Sequence, residues 1–73
     1  MTQEQFEQLS KTRKELIDFL EFTQDKDFHG ICAHTYMLAY NIYKEITDKE
    51  IVDKIIALVK NELDELNKRI EEL

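Results

Sequence analysis

The sequence predicts an all-α protein: an antiparallel three-helix bundle, up-down-up, with a long C-terminal helix and dimerisation into a larger helical bundle. Three observations lead there. The 73 residues contain no proline and one glycine, so the turn chemistry of a sheet protein is missing. Apolar residues recur at steps of three and four along most of the chain. Two segments open with capping signals. The expected organisation is one domain over 1–73, with helices at about 2–24, 29–46 and 48–73.

The first helix opens on Thr2, with Gln5 three residues later as a capping box. Phe6, Leu9, Leu16 and Leu20 form one stripe, widened by Ile17, Phe19 and Phe22. Glu7 and Lys11 are spaced for an i, i+4 pair on the wet side. The stretch TQDKD, Thr23 to Asp27, has no periodic apolar residue and reads as a turn. Asp27 is a candidate N-cap for the second helix. Gly30 then falls in its first turn, at a cost of about 1 kcal/mol relative to alanine, or the helix starts just after it.

In the second segment Ile31, Cys32, Met37, Leu38, Ala39 and Ile42 are joined by Tyr36, Tyr40 and Tyr43. On a helix they spread around most of the circumference, as in a central helix covered by two neighbours. The third helix is announced by Thr47 and Glu50, a second capping box, with Asp48 adding negative charge at the N-terminus. Val52, Ile56, Val59, Leu63, Leu66, Ile70 and Leu73 follow steps of 4, 3, 4, 3, 4, 3, a heptad seam. Ile51, Ile55 and Leu58 add a second apolar edge. The first half of this helix therefore reads as buried between two neighbours, and the last half as paired with one.

The third helix outreaches the second, at about 39 Å against about 24 Å. The surplus seam pairs either with the first helix or with another chain. Arg13 lies on the first helix's stripe, where it needs an acidic partner or a route to water. Both facts favour a homodimer with a seam of Val59, Leu63, Leu66, Ile70, Leu73 and Arg13.

The net charge of −6 lacks the basic footprint of a nucleic-acid binder and disfavours anionic lipid surfaces. It permits a basic protein partner. The apolar runs are too short to span a membrane. The start MTQEQFEQ is unlike a signal peptide, and the single cysteine excludes an internal disulfide; a cytoplasmic protein is expected. A chain this small is marginally stable unless metal, association or unusually good packing supplements its core.

His29, Cys32 and His34 are the candidate metal ligands. A structural zinc site takes four N or S ligands, usually from two clusters, and this chain offers one. The plainer reading is a buried cysteine and two histidines near a helix start, with no cofactor. A Cys32–histidine nucleophile pair would need an oxyanion donor pair and a cleft, which a chain without long loops scarcely provides. Tyr36, Tyr40 and Tyr43, at i, i+4 and i+7, read first as core rim. If exposed, they and His34 form a partner-binding face. There is no Glu-x-x-His motif, glycine-rich phosphate loop or Gly-x-Ser-x-Gly.

The stretches RKELIDF and NELDEL are similar in character to the helical hairpin of the small aspartyl-phosphatases that act on sporulation phosphorelays. That family's Ser-Gln-Glu-Leu-Asp motif stands here as Lys60-Asn61-Glu62-Leu63-Asp64, so its first two residues differ. The insert between the stretches is longer than a simple hairpin needs. The resemblance would make Asp64 the residue at issue in a small helical phosphatase-like regulator.

Packing signal is abundant and catalytic signal sparse. The leading expectation is a small acidic, non-enzymatic interaction module, a regulator or inhibitor that binds another protein. A metal- or ligand-binding bundle on His29, Cys32 and His34 is the alternative, and the phosphatase-like regulator a third.

Overall fold

The computed structural model describes residues 2–36 and 41–72. The chain order is helix α1 (Gln3–Phe22), strand β1 (Ile31–Tyr36), strand β2 (Asn41–Ile46) and helix α2 (Lys49–Glu71). The three-helix, all-α bundle is therefore corrected. Two helices lie near the expected first and third positions, and the expected middle helix is an antiparallel β-hairpin.

α1 begins with the capping box. The Gln5 amide donates to Thr2 Oγ1 at 3.1 Å, and the Thr2 amide donates to Gln5 Oε1 at 3.0 Å. Glu7 accepts from Gln3 Nε2 at 3.3 Å rather than pairing with Lys11. At the far end the Thr23 hydroxyl donates to the Leu20 carbonyl at 2.7 Å. Tight turns through Asp25 follow, and the Asp27 amide donates to Asp25 Oδ1 at 2.8 Å. Phe22 and Phe28 meet edge to face across this turn, with ring centres 6.3 Å apart.

α2 is capped by Asp48, not Thr47: Asp48 Oδ1 accepts from the Ile51 amide at 3.1 Å. Glu50 is drawn towards Lys54, at 3.5 Å, instead of back to the cap. Asp48→Ala leaves that amide without its acceptor. It should cost about 1 kcal/mol of stability, read as a lower urea midpoint at constant slope.

The helices run antiparallel. Arg13 Nε donates to Asn67 Oδ1 at 2.7 Å, and Leu16 sits with Glu62 and Leu66 while Leu9 sits with Arg69. The α2 seam faces α1: Val52 and Leu66 are buried, and Ile56, Val59, Leu63 and Ile70 are half-buried. The residues proposed as a dimer seam thus pack within one chain. Arg13 finds an amide partner there and remains exposed; Leu73 lies outside the described residues.

The hairpin stands apart from this helical pair. Its register pairs Ile31↔Ile46, Cys32↔Glu45, Ala33↔Lys44, His34↔Tyr43, Thr35↔Ile42 and Tyr36↔Asn41. The physical reason for the strands lies in composition. Ile31, Thr35, Tyr36, Ile42, Tyr43 and Ile46 are β-branched or aromatic and fit a pleated surface. Apolar residues spread around a helix are also what a hairpin with two partly apolar faces shows, and a short run does not separate the two by period.

The result is an open molecule. It exposes 6323 Å², whereas a compact 8.8 kDa monomer exposes about 4,800 Å². Its radius of gyration is 15.1 Å, against about 11 Å for a compact domain of this length.

Candidate interaction surface

The base of the hairpin is built around a close approach. A Cβ on Gly30 would stand 2.8 Å from the Ile46 carbonyl oxygen and 2.8 Å from Glu45 Oε1. Hydrogen alone lets the two segments meet there. Beside it His29 ties the turn to β2, with Nδ1 3.1 Å from the Asp27 carbonyl and Nε2 3.1 Å from Glu45 Oε1. Both partners are oxygen acceptors. The contact is exposed and modest in worth.

Two shallow clefts flank this base. One, of about 290 Å³, is lined by Phe28, His29, Thr47, Lys49, Val52 and Asp53. The other, of about 220 Å³, lies between Phe22, Phe28 and the Asp25–Gly30 turn. Lys49 Nζ is 2.8 Å from Asp53 Oδ2, and that hydrogen bond and charge raise the lysine above its ordinary pKa of 10.5. Asp18 acts likewise on Lys14, at 2.7 Å. These ammonium groups stay charged and occupied by their neighbours.

Along the hairpin, directly opposed residues share a face. Ile31, Ala33, Lys44 and Ile46 are on one side; Cys32, His34, Tyr43 and Glu45 are on the other. The His34 and Tyr43 rings stack 4.3 Å apart and within 4° of parallel. The structure thus joins two members of the expected partner-binding face, by cross-strand pairing rather than helical spacing. Tyr43 is exposed. Tyr40 and the side chain of Tyr36 lie outside the described residues, so the tyrosine stripe as a helical feature falls with the helix.

His29, Cys32 and His34 are not gathered into a metal shell. Among the described residues no group of three or more His, Cys, Asp or Glu is placed to hold a metal ion. His29 turns to Glu45, His34 to Tyr43, and the exposed Cys32 thiol to the Ala33 carbonyl at 3.5 Å. Asp64 is exposed on α2.

The feature that sequence reasoning misplaced is the second apolar edge of α2. It was expected to be buried against a neighbouring helix. With a hairpin in that helix's place, Ile51 is 48% and Leu58 58% exposed, and Ile55 is half-buried. Ile46, at the junction of β2 and α2, is also exposed. The spacing of Ile51, Ile55 and Leu58 signals a contact, and among the described residues Ile51 and Leu58 are left exposed.

Fold and surface together define a two-helix antiparallel pair carrying an open β-hairpin and an uncovered apolar helix edge. No protein-family model matches the chain, and no curated protein or solved structure matches it either. Among the described residues no helix is long and apolar enough to cross a membrane.

Proposed function

We propose that this protein acts by binding another protein, without catalysis of its own, through the uncovered edge of α2. The observation that carries this reading is the exposure of Ile51 and Leu58 on a helix whose apolar pattern calls for two neighbours. A surface of this kind holds a partner by apolar burial at its centre. The net charge of −6 favours a basic partner and speeds its approach. Masking a surface of that partner gives the role of regulator or inhibitor.

The test is a double substitution, Ile51→Glu with Leu58→Glu. Both side chains are already in water, so the melting temperature should move by only a few degrees. Glutamate at 58 lies one turn from both Lys54 and Glu62, so its charge interactions along the helix largely offset. Wild-type and doubly substituted protein are used side by side to capture partners from native cells, and the dissociation constant of any captured protein is measured with each. The expected result is at least a tenfold loss of affinity in the variant. Equal binding by both would remove the α2 edge from the interaction.

A further inference from the structure

Among the described residues each strand of the hairpin has one strand neighbour, so each presents an open edge. Natural edge strands are guarded by charge, proline or a bulge, because an unguarded edge recruits another strand. β2 carries Lys44 and Glu45. β1, Ile-Cys-Ala-His-Thr-Tyr, has no acidic side chain, no lysine or arginine, and no proline. It is the unguarded edge. A two-stranded hairpin is also marginal in water, and three or more strands or a covering layer are needed for it to persist. Among the described strand residues Cys32, Ala33 and residues 43–46 are exposed, and Ile31 and His34 are half-buried, so the hairpin is covered only in part.

We infer that β1 pairs antiparallel with β1 of a second copy of the chain, making a four-stranded sheet about a twofold axis. This inference deepens the reading of the protein as an interaction module and rests on it. Three features select a second copy as the occupant. A twofold axis matches a strand edge to itself, and the antiparallel arrangement follows from that symmetry. Charge is the second. In residues 28–47 the formal charges are Lys44 and Glu45, which cancel, so the whole net charge of −6 lies in the remaining chain. Two copies repel through their helical parts and meet without repulsion at their hairpins. Area is the third. The surface beyond that of a compact monomer is about 1,500 Å², against about 800 Å² per partner in a standard interface. A hairpin dimer uses part of that excess and leaves the α2 edge for a different protein.

Ala33→Glu is the discriminating substitution. Within one chain residue 33 lies opposite Lys44, so a glutamate there forms a cross-strand pair that supports the hairpin. A twofold axis normal to the sheet must pass beside one self-opposed residue near the middle of β1. With the axis at Ala33 the two residues at 33 are directly opposed, and with it at His34 they are diagonal neighbours on one face, so in either register the same glutamates repel each other. Mass is measured by sedimentation over a concentration series, with circular dichroism as the check on folding. The expected wild-type mass is twice 8.8 kDa. Ala33→Glu should weaken dimerisation at least tenfold, and 1 M salt should recover part of the loss, since it shortens screening to about 3 Å. Amide exchange in wild-type Ile31–Tyr36 should slow as concentration rises, a readout independent of any variant. A wild-type monomer at every concentration overturns the inference while leaving partner capture through Ile51 and Leu58 as a separate result. A dimer indifferent to Ala33→Glu but dissociated by Ile51→Glu with Leu58→Glu also overturns it, and moves self-association to α2.

Discussion

Leu66→Ala should remove most of the stability of the isolated chain. Leu66 is 6% exposed and Val52 5%, and these are the buried hydrophobic residues among those described. Leu66 sits where α1 and α2 cross closely, beside Leu9, Thr12 and Leu16. Truncating a buried leucine costs about 2–5 kcal/mol, from lost transfer energy and the cavity left behind. One small core supplies only about 3–5 kcal/mol to a chain of this length. The variant should therefore be largely unfolded at 25 °C, read as collapse of the helical circular dichroism signal without denaturant. Leu58→Ala, at an exposed position on the same helix, should change stability by less than about 0.5 kcal/mol. Equal losses at both positions would mean that the 58 edge is covered after all, most simply by a second chain. Repeating the comparison at several concentrations identifies that case, because association makes stability concentration-dependent.

Gly30→Ala should break the hairpin at its base. The glycine is used for space, since no glycine in the described chain has a positive φ. The added methyl would meet the Ile46 carbonyl oxygen and Glu45 Oε1, both at 2.8 Å, and Thr47 Cγ2 at 3.1 Å. A flexible glutamate can swing away, at the expense of its contact with His29. The backbone oxygen moves only if β2 moves. Overpacking of this kind costs about 1–3 kcal/mol. The hairpin stands off the helices, so the damage should be local. Amide exchange should speed up across residues 31–36 and 41–46 and stay near wild type in the core of α1 and α2. A variant with unchanged exchange in both strands would show that the close approach at Gly30 is not required.

The helices were legible because their hydrogen bonds are local. Thr2 with Gln5 is a contact three residues apart, visible in any short window; at α2 the same kind of window places the helix start but names Thr47 as the cap where Asp48 accepts from Ile51. The 4, 3 spacing of the α2 seam likewise records a face that must be covered, and α1 covers it. The candidate site was legible only in part. The spacing of Ile51, Ile55 and Leu58 marks a contact edge, but it does not reveal that the segment between the two outer helices is a hairpin rather than the helix that would cover it. His34 and Tyr43 were grouped for a helical stripe and came together for another reason, the strand register.

Residues 31–46 are where local pattern ran out. Their isoleucines, tyrosines and threonine favour strands, yet their spread of apolar positions also fits a helix with two neighbours. A strand becomes stable only when another strand lies beside it, and the pairs from Ile31↔Ile46 to Tyr36↔Asn41 join residues up to fifteen positions apart. No short window contains that partnership. Composition and period alone were enough for the two helices, the apolar seam of α2 and an acidic surface, whereas what covers that seam was decided by the fold. The three-dimensional fold alone chose strand over helix in the middle and faced the second edge of α2 to water, because cross-strand hydrogen bonds and interhelical contacts are non-local and their energy exists only once distant segments meet.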